Sequence, residues 1–413
     1  MRIQPAVLLV LLISLIVLPI LRSQLYYGVS YGCNYITVVG SSDNIGLIEL
    51  IPASGSPTVV KIEGTSVLNS IALNGCMAVA VGSSSRGNPA YVVYNLTSGN
   101  YKVVTINGIG ELYGIAYGNG YYVAVGFINN TGLIVKITNG GYGIITPVGY
   151  KILYGVSFGD GGFLIVGEGA NGAALGFYNL SSGSLIDLSN KLPSTYYVLY
   201  SAAYGPSGFM VVGVGEVNSS GFIIQVPVAG LLNVTTGSFI DLSSNFRQYS
   251  LLMSVAYMDY EYVFVGSTTG GQGGYGYYSI YGLTPLYSTV GSGSMYLPFI
   301  LYSITPVSPG VFYIVGNNGE SSVGSEVLIP VIYNVTFVSN VDGASIVVKG
   351  PISLNAKPNT TVPLPQGSYN ITAEAGGYYK GSKIIMGKSN NGINLKLSRA
   401  KKFNITLHLT ITG

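Results

Sequence analysis

The sequence predicts an all-β protein in which repeated small sheets close into a ring and a smaller β-sandwich comes after them. Three observations carry this expectation. Apolar residues arrive in short pulses separated by Gly, Asn and Ser, the pattern of short strands and tight turns. One pulse, ending in Val-Gly, recurs seven times along the chain. Near residue 333 the repeat stops and the charge balance changes.

The glycines that close the pulses are Gly40, Gly82, Gly126, Gly167, Gly213, Gly266 and Gly316, and their spacing runs from 41 residues (Gly126 to Gly167) to 53 (Gly213 to Gly266). Periods of about 40–50 residues are those of propeller blades. Each repeat opens with an aromatic strand such as LYGIAYG (112–118) or LYGVSFG (153–159). A turn follows, Asn119-Gly120, Asp160-Gly161-Gly162 or Pro206-Ser207-Gly208, built from residues that accept positive φ or start a turn. The Val-Gly strand comes next, then a third strand such as GLIVKI (132–137) or GFIIQV (221–226). A fourth strand is clearest in SGSLIDLS (182–189) and its echo TGSFIDLS (236–243). A four-stranded sheet cannot bury both faces alone, and packing such sheets around an axis solves that. Residues 25–332 are therefore read as a seven-bladed β-propeller. In its last repeat, strands are expected at 300–305, 312–315 and 326–332, with the fourth missing or merged into the next domain.

The string GIAYGNGYYVAVG (114–126) resembles the repeat of sialidase-like, BNR-type seven-bladed propellers. The resemblance implies the fold. It does not imply sialidase activity: the Asp-box (Ser-X-Asp-X-Gly-X-Thr-Trp) is absent, the chain has no Trp, and the repeats hold only Arg86 and Arg247 where that chemistry uses an arginine cluster.

Residues 333–413 form the expected second domain. Residues 331–413 hold nine Lys/Arg against two acids, whereas 24–330 hold seven against thirteen. Strands are expected at 333–339, 344–350, 367–375, 383–387, 393–398 and 403–411, with alternation strongest in the last two. Asp342-Gly343-Ala344, Leu364-Pro365-Gln366-Gly367-Ser368-Tyr369 and Gly376-Gly377-Tyr378 resemble the PEGA domain and related sandwiches. That resemblance implies a surface-associated accessory module, a spacer or wall-binding unit.

Residues 1–24 carry Arg2, an apolar run over 5–20 and a polar exit, the marks of an export signal. The run is short for a membrane span, which favours a removed signal over a retained anchor. Sequons at Asn95, Asn129, Asn179, Asn218, Asn233, Asn334, Asn359, Asn370 and Asn404 suit a glycosylated exported protein, although a chain rich in Asn, Ser and Thr generates some by chance. Cys33 and Cys76 can form one disulfide or serve as two small buried apolar residues.

Chemistry is sparse. The lone His408 sits in an alternating strand between Leu407 and Leu409 and reads as a solvated strand residue, so no Ser-His or Cys-His nucleophile is available in the repeats. Asp43, Arg86, Asn129, Glu168, Glu216 and Glu320 come after the Val-Gly pulses, and loops at equivalent positions lie on one face of a propeller. That rim could hold a ligand or a Ca²⁺ ion, the plainer reading being ordinary solvated loops. Asp187 and Asp241 are expected to cap turns or face solvent. GGQGGYGYY (270–278) lacks the features of a phosphate loop and is expected to be an extended rim loop. Most tyrosines are expected in the core, while Tyr275, Tyr277 and Tyr278 could stack on sugars.

The expectation is an exported, cell-surface binding or adhesion protein, or an envelope-associated structural protein, non-catalytic, whose partner is a surface glycan, an S-layer or another envelope protein. No catalytic residue, metal or cofactor is assigned, nucleic acid is not expected as a partner, and the membrane would be met only through a retained N-terminal segment. The rival expectation is a secreted hydrolase or lyase acting on glycan or peptide through rim carboxylates. Sparse charge (15 Asp plus Glu) with abundant Tyr, Asn, Ser and Gly suggests an acid-living, archaeal surface.

Overall fold

The computed structural model describes residues 24–258, 261–269, 271, 273–279, 286–290, 300–329, 332–339, 345–350, 353–365, 367–375, 378–386, 393–396 and 406–412. The expected signal segment, apart from Gln24, lies outside the described residues, as do Asn404, Asp342-Gly343-Ala344 and Gly376-Gly377.

Seven antiparallel sheets succeed one another from the first described residue. Sheet 1 is β1 (Gln24–Gly32), β2 (Tyr35–Ser42), β3 (Ile45–Pro52) and β4 (Thr58–Ile62). Sheet 2 is β5 (Thr65–Asn74), β6 (Met77–Ser84), β7 (Pro89–Asn95) and β8 (Tyr101–Thr105). Sheet 3 is β9 (Gly110–Gly118), β10 (Tyr121–Ile128), β11 (Thr131–Thr138) and β12 (Gly141–Ile145). Sheet 4 is β13 (Tyr150–Gly159), β14 (Gly162–Gly169), β15 (Gly172–Asn179) and β16 (Ser184–Asp187). Sheet 5 is β17 (Tyr196–Gly205), β18 (Gly208–Ser219), β19 (Phe222–Asn233) and β20 (Ser238–Asp241). Sheet 6 is β21 (Tyr249–Met258), β22 (Glu261–Thr268), β23 (Gly273–Ser279) and β24 (Leu286–Val290). Sheet 7 has three strands among the described residues, β25 (Ile300–Ser308), β26 (Val311–Asn317) and β27 (Ser322–Leu328).

Within each sheet the strands pair in chain order, so the first strand is one edge and the last the other. The first strands pack side by side around the molecule, each on the next, and β25 packs back on β1. The repeated Val-Gly pulse is the second strand, whose apolar residues are buried on both faces between neighbouring sheets, Val38 and Val39 among them. Six clusters of nine to twelve buried residues fill the joints between successive sheets.

The joint between sheets 7 and 1 is thinner. Among the described residues its cluster has four buried members, Val29, Ile36, Val38 and Val315, with Tyr26, Ile51, Val307 and Tyr313 packed against them. No strand is exchanged across it among the described residues. Polar contacts reinforce it: Tyr26 N donates to Ser322 Oγ (2.9 Å), Asn317 Nδ2 to the Tyr26 carbonyl (2.8 Å) and Ser322 Oγ to the Gln24 carbonyl. On the other side of sheet 1, Cys33 in the β1–β2 turn is disulfide-bonded to Cys76 in the β5–β6 turn, with Cα atoms 5.0 Å apart.

Two more four-stranded sheets complete the described chain. One has the order β31 (Thr360–Pro365), β28 (Ile332–Ser339), β35 (Thr406–Thr412), β34 (Ile393–Lys396). The other has β30 (Ser353–Ala356), β29 (Ser345–Lys349), β32 (Gly367–Ala375), β33 (Tyr378–Met386). Strands β30 and β31 were not expected from the sequence; each is short, and alternation over four to six residues is a weak signal. His408 pairs through its backbone with Val338 and Asn394. Two other expectations need correction. Residues 273–278 of the Gly-rich segment lie in strand β23, where Tyr275 pairs with Val265, because glycines fit the close spacing of a sheet interior as readily as a loop, while Gly270 and Gln272 lie outside the described residues. Glu168 and Glu216 lie in β14 and β18 and not in loops, because the hairpins of sheets 4 and 5 continue past the Val-Gly pulse.

Candidate functional site

The first strand of every one of the seven sheets carries a β-bulge at the same place. Pairing jumps from Tyr26 to Gly28, Leu68 to Ser70, Leu112 to Gly114, Leu153 to Gly155, Leu199 to Ser201, Leu252 to Ser254 and Leu301 to Ser303. The skipped residues are Tyr27, Asn69, Tyr113, Tyr154, Tyr200, Met253 and Tyr302. A bulge turns an extra side chain out of the ladder and sharpens the local twist. Here it turns all seven toward one cavity of about 430 Å³, which they line together with the residues one and two positions further on, Gly28 excepted. The Val-Gly glycines make this possible. A Cβ on Gly40 would run into the Leu25 carbonyl, and one on Gly126 into the Glu111 carbonyl, so the bulged strand crosses where only glycine leaves room.

The ring falls into two aromatic arcs. Tyr302 and Tyr27 meet edge to face with centroids 5.4 Å apart. Tyr113, Tyr154 and Tyr200 form the other, with centroids 5.2 and 5.4 Å apart. Asn69 and Met253 separate the arcs. All seven side chains are half-buried. Burial raises the Tyr154 hydroxyl to about 12, helped by the neighbouring Tyr200 and Glu168. It also raises Tyr27, Tyr113, Tyr200 and Tyr302 above the ordinary phenol range. The ring is therefore neutral at any physiological pH. Asn69 donates from Nδ2 to Glu111 Oε1 (2.6 Å) and to the Leu112 carbonyl (2.9 Å). Burial pushes the Glu111 carboxyl up, opposed by that hydrogen bond. Among the described residues, no group of three or more His, Cys, Asp or Glu side chains gathers as a metal site.

Solved structures with this arrangement of sheets settle the architecture. "YCF48 bound to D1 peptide" superposes with a TM-score of 0.50 at 14% identity, over 72% of this chain and 92% of that one. Hydrazine synthase of Kuenenia stuttgartiensis gives 0.58 at 11%, over 76% and 99%. The β-propeller domain of the trilobed protease of Pyrococcus furiosus, described as having an open velcro topology, gives 0.51 at 6%, over 74% and 95%. The fold is a β-propeller. No family model and no curated protein sequence matches the chain.

The rim residues expected from the sequence all sit on one face of the propeller, where second strands turn into third strands, but they do not form one ring of ligands. Asp43, in the β2–β3 turn, pairs with Lys61 (2.9 Å). Arg86 and Glu320 are exposed in their turns. Asn129 Oδ1 accepts from Ile109 N (3.1 Å). Glu168 and Glu216 do come together, in a cavity of about 310 Å³ between sheets 4 and 5, with Lys151 3.3 Å from Glu168. Asp187 and Asp241 cap their turns, and each also accepts from a buried first-strand tyrosine, Tyr150 (2.9 Å) and Tyr196 (2.8 Å).

Several sequons are turn code as well. Asn95, Asn179 and Asn233 stand at equivalent third-to-fourth-strand turns, in NLTSG, NLSSG and NVTTG, and each Oδ1 accepts backbone N–H groups two or three residues on. Asn218 does the same for Gly221 N at a second-to-third-strand tip. Among the described residues, the turn bonds of these four asparagines all use Oδ1 and leave Nδ2, the atom that would carry a sugar, out of them. Asn359 has φ of 59° in a turn, Asn370 is exposed in β32, and Asn334 lies in β28.

The ring residues were missed by sequence reasoning, which assigned strand tyrosines to the core. Their signal is the repeated Leu-Tyr-Gly or Leu-Tyr-Ser of the opening strand, as in 112–114, 153–155, 199–201 and 301–303.

Proposed function

We propose that the chain is an exported, cell-surface binding protein. Its seven sheets are the blades of one propeller, and its tyrosine-lined channel receives a projecting group of an envelope protein without chemical turnover. The observation that carries this reading is the seven-fold bulge, which places five tyrosines, an asparagine and a methionine around one open cavity. Cavities of a few hundred Å³ with apolar walls and a few polar groups are typical binding sites. A ring of neutral phenols has hydrogen-bonding and stacking capacity but no nucleophile or proton shuttle matched to neutral pH.

A second feature favours a protein partner. Strands β18 and β19 are twelve residues each, longer than their counterparts in the other sheets, so their hairpin projects from the same rim. Its tip exposes Phe222 (74%) and Ile223 (70%), adjacent large apolar groups of the kind that anchor protein contacts. In this reading residues 333–413 are a PEGA-like, basic sandwich that spaces or docks the propeller. The first 24 residues direct export, and the exposed sequons carry sugar.

The rival reading is a hydrolase, favoured by the shared cavity of Glu168 and Glu216. Purified full-length protein is tested for binding to cell envelopes and to a glycan array, and against a panel of glycosidase and peptidase substrates. Envelope binding lost in Tyr154→Leu, without turnover, is expected. Turnover abolished by Glu168→Gln or Glu216→Gln would replace this reading with the enzymatic one.

A further inference from the structure

We propose that the group received in the channel is an alkylammonium ion, that of a lysine side chain on the protein partner; this rests on the channel-binding reading above. Among the described residues, the cavity lining contains no Lys, Arg or His. It offers electron-rich phenol rings and hydroxyl oxygens instead, and among the described residues no protein group hydrogen-bonds the hydroxyls of Tyr113, Tyr154, Tyr200 or Tyr302. A cation beside aromatic rings is attracted by their quadrupoles, the more so when partly desolvated.

The charges around the ring have the matching sign. Glu111 acts on Tyr113 and Tyr27, and among the described residues its partner is the neutral Asn69. Glu168 acts on Tyr154 and Tyr200, shared with Lys151 at the rim. Over 24–330 the acids outnumber Lys and Arg thirteen to seven, a balance of the same sign as Glu111 and Glu168, within a chain whose formal net charge is +3. An anion would meet the field of Glu111, whose partner is the neutral Asn69, with no cationic side chain among the described lining residues to offset it. An uncharged alkyl chain would cover the free hydroxyls without replacing their water. A lysine side chain avoids both costs, with an apolar stem against the rings and an ammonium among the oxygens.

The test titrates full-length protein with Nα-acetyl-lysine methylamide and with its uncharged counterpart Nα-acetyl-norleucine methylamide, monitored by calorimetry. The lysine probe is expected to bind about tenfold or more tightly than the norleucine probe. Tyr154→Leu is expected to weaken it about tenfold, Tyr154→Phe by less than about threefold because the ring is retained, and Glu111→Gln by roughly threefold or more. Thermal melts confirm that each variant folds, and if Tyr154→Leu does not, the Tyr154→Phe and Glu111→Gln pair decides. Equal binding of the two probes, or lysine binding indifferent to Glu111→Gln, overturns the assignment. If envelope binding is nonetheless lost in Tyr154→Leu, the channel reading stands and only the cation falls; if envelope binding ignores Tyr154→Leu, both fall.

Discussion

At Gly126 a missing side chain serves the structure in a way that a strand glycine ordinarily does not. Its Cα faces the Glu111 carbonyl, and adding a methyl would force β9 away from β10 at the bulge that aims Tyr113 into the channel. Overpacking of this kind costs about 1–3 kcal/mol. Gly126→Ala should therefore lower the melting temperature by several degrees, whereas Gly143→Ala, on an open stretch of β12 with nothing near its Cβ, should leave it almost unchanged. Equal shifts in scanning calorimetry would show that the close crossing is not what the glycine serves. The glycine was plain in the sequence as the end of a pulse, but its partner was not. Alternation assigns Tyr113 to a face by counting in twos, and a bulge inserts one residue and breaks the count. The tyrosines therefore read as core although they line the site.

Elements differ in how openly the sequence declared them. The opening strands, the Val-Gly strands and their Asn-Gly or Asp-Gly turns were legible because turn chemistry and apolar alternation agree there. The projecting hairpin of β18 and β19 was not, since Phe222-Ile223-Ile224 has the same composition whether it is buried between sheets or held out in solvent. The pairing of Cys33 with Cys76 stayed open for a similar reason: 43 residues of separation say nothing of where two turns meet. In the folded chain that bond clamps sheet 1 to sheet 2, while the opposite side of sheet 1 rests on the four-residue joint with sheet 7. Closing a loop of this length can stabilise by up to about 4 kcal/mol. The double variant Cys33→Ala/Cys76→Ala should melt well below the wild type, and reductant should lower the wild type toward it and leave the variant unmoved. Coincident melts with and without reductant would mean that the clamp adds nothing.

For the whole molecule, scarcity of charge becomes a statement about acid. Only 15 carboxylate side chains are spread over 413 residues, and the three with resolved displacements, Glu111, Asp187 and Asp241, pull in opposite directions. Burial raises Glu111, with the Asn69 hydrogen bond opposing it, so its ionised form costs stability above the unfolded value and protonation relieves that cost as the pH falls through the raised value. Asp187 and Asp241 are the reverse case. Burial pushes them up, but hydrogen bonds from Ser189 and Tyr150, and from Ser243 and Tyr196, outweigh it and hold both below the ordinary range. Their contribution is complete above the unfolded value of about 3.9 and is lost only as the pH drops through their lowered folded values. The two effects occupy adjacent windows, a gain on acidification toward about pH 4 and a loss beneath it. Denaturant midpoints measured from pH 7 down to pH 2 should thus hold level or rise to about pH 4.5 and decline gently below about pH 4. A midpoint that falls between pH 7 and 4.5, or collapses just below pH 4, would show that other carboxylates govern the fold and would remove the physical basis for placing this propeller on an acid-exposed surface.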